Sequence, residues 1–358
     1  MNFYLELREK LDAHPAGAPD RPEIFEILRI LFTPEEARVA IHLAFTLKSV
    51  EDIAQKAGLS MDNVTDTCER LADKGLVLSR IRNGKKCYSL LPLMPGIFEF
   101  PFMKTKYLHL DFDKLAQLWH QYYEAGWGRE FHSGKTSMSR IIPVRKAIPS
   151  TSTVLPFEEV SNYIDKAECV SVGNCACRVA AKKCNNPIEV CLGFDSIAKF
   201  LVERKMARFI TKEEALKILE AVEEAGLVHL TSNTADRIGF ICNCCPCCCV
   251  ALAVTTRLKN AASHPISNFY ASVNAEHCNA CGVCEDKCPA KAINMGDVAI
   301  VDVSLCIGCG LCASACPAEA IDLIRRVDST EPPAGVKELA LKAAQERGRL
   351  GNFLANLT

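Results

Sequence analysis

Eight cysteines near the C-terminus carry the plainest chemistry in this chain. CNACGVCEDKCP places Cys278, Cys281, Cys284 and Cys288, and CIGCGLCASACP places Cys306, Cys309, Cys312 and Cys316. Each stretch reads CxxCxxCxxxCP, a spacing that wraps three thiolates round one iron–sulfur cube and sends the fourth to its neighbour. Two residues between cysteines let a tight turn aim successive thiolates inward with its amide N–H groups toward the cluster sulfurs. Ala280, Gly282, Gly308 and Gly310 are small enough to permit that approach. Zinc, which takes separated CxxC pairs, fits an unbroken run of this kind poorly. The expectation is two [4Fe-4S] clusters.

Ten further cysteines lie upstream. Cys175, Cys177, Cys184 and Cys191 form CxCx6Cx6C, and ICNCCPCCC supplies Cys242, Cys244, Cys245, Cys247, Cys248 and Cys249. Thiols at this density would repel as thiolates and oxidise as free groups, so a metal that absorbs their charge is the economical explanation. Neighbours in an extended segment point to opposite sides, so Cys244 and Cys245 are expected to serve different purposes. One or two further cubanes, with ligands drawn from these ten, are favoured over zinc or a redox dithiol pair. Cys169, Cys68 and Cys87 are expected to be packing residues.

The stretch from Ser272 to Arg326 closely resembles bacterial two-cluster ferredoxins. That resemblance implies that Cys278, Cys281, Cys284 and Cys316 hold one cluster and Cys306, Cys309, Cys312 and Cys288 the other. With GNCACR, EVCLGFD and ICNCCPCCC in one order, the middle and C-terminal parts resemble cysteine-rich ferredoxin-like proteins of anaerobic bacteria such as sulfate reducers. This implies four-iron clusters and electron transfer, but no substrate.

The chain has 358 residues, 49% of them apolar, enough for two or three domains with real cores. A net charge of -1 offers no global basic field for nucleic acid or anionic membrane. Of 21 cysteines only Cys68 and Cys87 fall outside 169–316, and neither a secretory signal nor a membrane-length apolar run is evident. The expectation is a cytoplasmic protein of an anaerobic organism, its cysteines a metal inventory rather than a disulfide framework.

The elements that must position these thiols follow from pattern. Helices are expected around Phe3 to Leu11 and Glu23 to Leu31. TPEEARVAIHLAFTLKS predicts a third, with Thr33 as N-cap, Pro34 at the first position, Glu36 closing a capping box and Ala37, Ala40, Ile41, Ala44 and Leu47 on one face. Two helices broken at Gly58, then a hairpin round Asn83 and Gly84, complete a pattern over Thr33 to Pro92 that resembles a winged helix. Its second helix carries Asp62, Asp66, Glu69 and Asp73 against Arg70 and Lys74, which opposes phosphate contact. Arg80, Arg82, Lys85 and Lys86 form a basic wing. Protein docking is favoured for this unit, with DNA binding the lesser alternative.

An aromatic helix, KLAQLWHQYYEAGW, follows, with Trp119, Tyr122, Tyr123 and Trp127 expected in the core and His132 as a surface or packing residue. Gly134, Lys135 and Thr136 imitate the end of a phosphate loop, but Gly128 is one residue too far away and helical sequence precedes it, so no nucleotide site is assigned.

The fold class read from these patterns is α+β multidomain. Its parts are N-terminal helices and winged helix (1–95), a helical connector (96–150), a mostly helical cysteine-rich module (151–270), a ferredoxin-like domain (271–327) and a linker with helical tail (328–358). On the ferredoxin stretch Glu276, Glu285, Asp286, Asp297, Asp302, Glu319 and Asp322 outnumber Lys287, Lys291, Arg325 and Arg326, an acidic surface suited to a basic redox partner. The function that follows is an iron–sulfur electron-transfer protein, a polyferredoxin-like carrier or an oxidoreductase subunit. Alternatives are a redox-sensing winged-helix regulator and a cluster-only oxidoreductase with an open iron site.

Overall fold

The computed structural model describes residues 2–149, 154–256, 263–329 and 331–357. The expected boundary between connector and middle module, at 150 and 151, lies outside the described residues, as does Thr330 of the linker.

The N-terminal part begins with helices α1 (Phe3–Asp12), α2 (Pro22–Leu31) and α3 (Pro34–Ala40). Thr33 and Glu36 close the capping box that starts α3. The helix stops at Ala40, short of the expected Leu47. Beyond that point tertiary pairing outweighs propensity: Leu90 N–H donates to Ala44 O at 2.9 Å, and Phe45 N–H to Asn356 O at 3.0 Å.

A two-residue strand β1 (Lys48–Ser49) leads into α4 (Val50–Ala57) and α5 (Met61–Asp73). Gly58 ends α4 in the left-handed region, φ 63°, and Ser60 caps α5. Strands β2 (Val77–Arg82) and β3 (Lys85–Leu90) then pair across Asn83 and Gly84, both at positive φ, in a three-stranded sheet ordered β1-β3-β2.

The connector supplies α6 (Glu99–Met103), α7 (Phe112–Tyr122) and α8 (Gly128–Phe131). Trp119, Tyr122, Tyr123 and Trp127 are buried in the N-terminal core, with Trp127 Nε1–H donating to Ala16 O at 3.1 Å. Cys68 lies in the same core, Cys87 is buried in β3, and His132 is buried against Phe131.

The middle module corrects the expectation that it is mostly helical. It is built on a six-stranded, wholly antiparallel sheet. In chain order the elements are β4 (Ser139–Ile141), α9 (Val160–Lys166), β5 (Val170–Asn174), α10 (Ala176–Ala181) and β6 (Glu189–Phe194). Then come α11 (Asp195–Glu203), β7 (Ala207–Ile210), α12 (Lys212–Glu224), β8 (Val228–Ser232), β9 (Phe240–Cys244) and the short α13 (Ala253–Thr256). The spatial order is β4-β8-β9-β6-β5-β7. Each short run rich in valine, isoleucine and phenylalanine alternates its faces. Val170, Val172, Val190, Leu192, Phe194 and Ile241 share one core with Ile164 of α9 and Leu219 of α12. The intervening positions, Cys191, Cys242 and Cys244 among them, belong to the opposite face.

The C-terminal domain pairs β10 (Phe269–Val273) with β13 (Ile321–Arg325) and β11 (Ile293–Met295) with β12 (Ala299–Val301), around the short helices α14 (Val283–Lys287) and α15 (Leu311–Ser314). The tail helices α16 (Val336–Glu346) and α17 (Leu350–Ala355) fold back on the body. Arg349 there pairs with Asp12 and Glu130. Glu346 accepts from the amide and hydroxyl of Thr136 in the Gly134–Thr136 stretch. No helix among the described residues is long and apolar enough to cross a membrane.

Ion pairs lock the parts together. Glu158, 3% exposed, accepts from Arg325 Nη1 at 2.9 Å and Nη2 at 2.5 Å, and from Asn268 Nδ2 at 2.9 Å, joining middle module to ferredoxin domain. Burial raises the Glu158 carboxyl pKa, but the Arg325 fork outweighs it and holds the group below the usual carboxylate range. Replacing it with alanine would take the buried carboxylate away from the half-buried Arg325 and from Asn268. Glu158→Ala is therefore expected to lower stability by about 2 kcal/mol in anaerobic denaturant unfolding. Glu168→Ala, which removes an exposed partner of Lys199, should cost no more than about 0.5 kcal/mol.

Candidate metal centres

The two CxxCxxCxxxCP loops are near copies in backbone as well as sequence. Ala280, Gly282 and Lys291 in the first, and Gly308, Gly310 and Glu319 in the second, occupy the left-handed region at matching positions. Amides aim at the fourth cysteine of each loop in the same way: Ala292 N–H points at Cys288 Sγ (3.2 Å) and Ala320 N–H at Cys316 Sγ (3.3 Å). A third, from Ala271, reaches Cys306 Sγ at 3.5 Å.

These turns wrap two small cavities. Cys278, Cys281, Cys284 and Cys316 line one, with Met295 and Ile321, and Cys306, Cys309, Cys312 and Cys288 line the other, with Leu323 and Ile293. The two differ in exposure. Cys281 is the one exposed cysteine of the eight, whereas all four thiols of the second set are buried. Burial pushes the Cys309 thiol up to about 12 and that of Cys312 higher still, so each would lose its proton there only to a cation.

The middle module sorts its ten cysteines into two groups. Cys191 of β6 meets Cys242 of β9 with sulfurs 3.7 Å apart, and Cys244 meets Cys249 at 3.3 Å. Cys175 and Cys177, at the start of α10, complete a chain of neighbouring thiols. Cys175 lies beside Cys177, Cys177 beside Cys249, and Cys244 beside Cys242. The neighbouring sulfurs of Cys191 and Cys244 pull Cys242 down to about 5, and those of Cys177 and Cys244 pull Cys249 well below its ordinary value.

Cys184, Cys245, Cys247 and Cys248 form the second group, their four sulfurs all within 4.8 Å of one another. The adjacent Cys244 and Cys245 thus part to different sites, as alternation requires. The motif CxCx6Cx6C is divided too, with Cys184 in one group and Cys175, Cys177 and Cys191 in the other. Cys169 joins neither. It is half-buried, with its thiol near Asp195 O.

Three residues outside the cysteine motifs shape these sites. Arg178, 3% exposed, donates from Nη1 to Asn243 O at 2.9 Å and Cys245 Sγ at 3.6 Å. Its Nε and Nη2 have no hydrogen-bond partner among the described residues. A buried cation with spare donors beside two sets of thiols suits sites that carry negative charge. Glu99 accepts from Gly96 N–H at 2.7 Å. Its desolvation, with the Cys242 and Cys249 thiolates behind it, pushes the carboxyl up to about 8. Asn186 donates to Cys184 Sγ at 3.4 Å. Of the three, only Arg178 left a trace in the sequence, as the residue closing GNCACR.

A cavity of about 270 Å³ opens between α7 and these sulfurs. Trp119, Tyr123, Trp127 and His120 form one wall, and Cys177 and Cys248, one from each group, reach the other. Three of the four aromatic residues assigned to the core, Trp119, Tyr123 and Trp127, therefore also face a space beside the thiols.

Residues 271–294 and 299–322 each match the family of 4Fe-4S binding domains. Two [4Fe-4S] clusters belong to this chain. The cysteines gathered around 184–248 allow a further centre. No curated protein and no solved structure gives a significant match to the chain.

The ferredoxin repeats differ in one testable respect. A Cβ on Gly308 would lie 2.0 Å from Phe269 O, whereas one on Gly282 would meet nothing within 4 Å, although both residues have positive φ. Gly282→Ala should cost about 1 kcal/mol in backbone strain and keep its iron. Gly308→Ala is expected to lose iron and visible absorbance from the second repeat, as measured by iron analysis after anaerobic purification.

Proposed function

We propose that the chain is an electron-transfer protein, a polyferredoxin-like carrier or oxidoreductase subunit, that moves low-potential electrons along three iron–sulfur centres. In this reading Cys278, Cys281, Cys284 and Cys316 ligate an outer cluster, and Cys306, Cys309, Cys312 and Cys288 an inner one. Cys175, Cys177, Cys191, Cys242, Cys244 and Cys249 hold a third centre in the middle module. Bound clusters supply one-electron carriers. The protein's residues insulate them, direct N–H groups at their sulfurs and present a docking face.

One observation carries the reading. Cys244 and Cys249 belong to the same continuous core as Cys288, Cys306, Cys309 and Cys312, with Cys177 and Cys242 packed against it. Val144 N–H donates to Cys309 O at 2.9 Å from within that core. The six-thiol ring and the inner ferredoxin site thus share a dry, apolar surrounding, while Cys281 gives the outer site its edge at solvent.

The acidic surface belongs at that outer edge. Glu276, Asp286 and Asp297 are exposed there, whereas Arg325 turns in to Glu158 and Arg326 to the carbonyls of Phe269 and Cys306. Two of the four cations in this stretch are thereby withdrawn, which deepens the negative field offered to a basic redox partner.

The N-terminal unit, read as a winged helix, supports docking over DNA binding. Glu69 and Asp73 of α5 bind Arg204 at the end of α11, at 2.9 and 3.1 Å. That pairing, with Tyr88 and Lys86, outweighs burial and holds Glu69 down to about 2. Lys85 and Lys86 of the wing are paired with Glu51 and Glu69. The would-be reading helix thus packs on the middle module of its own chain, and two wing cations are already neutralised.

A second reading, a cluster-only oxidoreductase, is favoured by the aromatic cavity that reaches Cys177 and Cys248. Iron and acid-labile sulfide on the anaerobically purified full chain test the first reading. About twelve irons in cubanes support it, falling by about four in a Cys191→Ser, Cys242→Ser double variant, whereas about eight in both proteins would remove the third centre. Cyanide added to the reduced protein separates the two readings. A changed EPR spectrum of the middle centre, which the double variant abolishes, marks an open iron beside the cavity, and an unchanged one marks a plain relay.

A further inference from the structure

The four thiols left out of the six-thiol ring are arranged differently from every other set in the chain. Adjacent sulfur separations are 3.9 Å for Cys184 and Cys245, 3.7 Å for Cys184 and Cys248, and 3.8 Å for Cys247 and Cys248. All four sulfurs close within 4.8 Å of one another. Four thiolates bound tetrahedrally to one ion at about 2.3 Å stand about 3.8 Å apart along each edge. On a cubane each thiolate sits over a different iron, so the sulfurs are spread well beyond that edge.

The chain carries its own control for this comparison. Among the described residues, no other set of three or more such groups closes within the same limit. The two ferredoxin quartets, which lie in repeats matching 4Fe-4S binding domains, do not bring their sulfurs within that limit. The six-thiol ring makes close pairs, such as Cys191 with Cys242, but is likewise too open to meet the limit. Only the Cys184 group converges on a single point.

From this contraction we propose that Cys184, Cys245, Cys247 and Cys248 bind one divalent thiophilic ion, zinc or ferrous iron, in a mononuclear tetrathiolate site distinct from any cubane. Four thiolates on a divalent ion leave a net charge of -2, and the surroundings answer it. Arg178 donates to Cys245 Sγ from one side and Asn186 to Cys184 Sγ from the other. The end of β9 and the turn after it divide the run: Cys245 parts from Cys244 at the strand end, and the turn at 246–248 brings Cys247 and Cys248 to the quartet while Cys249 returns to Cys244. The ion ties the irregular segment after α10, which begins at Lys182 in the left-handed region, to the turn that follows β9. It also holds Cys248 at the wall of the aromatic cavity.

This assignment stands apart from the third cluster, since the quartet and the ring share no ligand. The test compares wild type with a Cys184→Ser, Cys247→Ser double variant; both positions are half-exposed and outside the sheet. Each full chain is purified without oxygen and analysed for zinc, iron and acid-labile sulfide. The variant is expected to lose about one metal ion per chain, with sulfide and the cubane EPR signals unchanged. Loss of one zinc identifies the zinc form. Loss of one iron, from a wild type whose iron exceeds sulfide by one, identifies the iron form. Loss of about four irons with matching sulfide, or no change in metal, overturns the proposal.

Wild-type spectroscopy gives the answer even if the variant fails to fold. X-ray absorption at the zinc edge should show four sulfurs at about 2.3 Å and no metal neighbour. In the iron form, Mössbauer spectra should show one high-spin tetrathiolate iron beside the cubanes. Absence of both signatures overturns the site.

Discussion

Thiolate charge brought out of water is the constraint on which the rest of this structure depends. A thiol buried among apolar side chains keeps its proton, as the raised values of Cys309 and Cys312 show, and it gives that proton up only to a cation placed beside it. Eighteen thiols are gathered here in four sets, and the chain itself supplies one well-buried cation among them, Arg178. Backbone N–H groups and neighbouring thiols supply the remainder of the compensation that protein can offer. In the ferredoxin repeats two [4Fe-4S] clusters balance that charge.

The other parts of the molecule are arranged to keep that balance dry. Cys177 packs against all three large cores, those of the N-terminal helices, the six-stranded sheet and the ferredoxin domain. The six-thiol ring therefore lies where the domains meet. The joints that fix this meeting point are ionic and largely buried: Arg204 binds α5 to the sheet module, and Glu158 with Arg325 binds that module to the ferredoxin repeats. Buried pairs of this kind add little net stability over apolar packing, but they are costly to break one-sidedly, so they define which surfaces mate.

Much of this was legible in the residues. The two ferredoxin loops followed from CxxCxxCxxxCP, because ligand spacing along a tight turn is a local property. So did the capping box at Thr33, the break at Gly58 and the hairpin at Asn83 and Gly84, each set by the conformational preference of one or two residues. The split of Cys244 from Cys245 followed from strand alternation. The six-stranded sheet was missed because VSVGN, EVCLGF and FICNC are short apolar runs whose pairing is non-local, and helices adjoin the first two. The sharing of ten thiols between two sites was beyond reach for the same reason: Cys184 meets Cys248 across 64 positions of sequence. Glu99 lies in an unremarkable aromatic stretch, and only the fold brings it to the ring.

An EPR-monitored redox titration of the intact protein under anaerobic conditions tests the central claim most directly. A third centre in the same dry core as the inner ferredoxin site should add a third one-electron spin, and full reduction should broaden the spectra through coupling between neighbours. Two spins alone, with the line shape of an isolated two-cluster ferredoxin at every potential, would contradict a continuous electron path through the middle module.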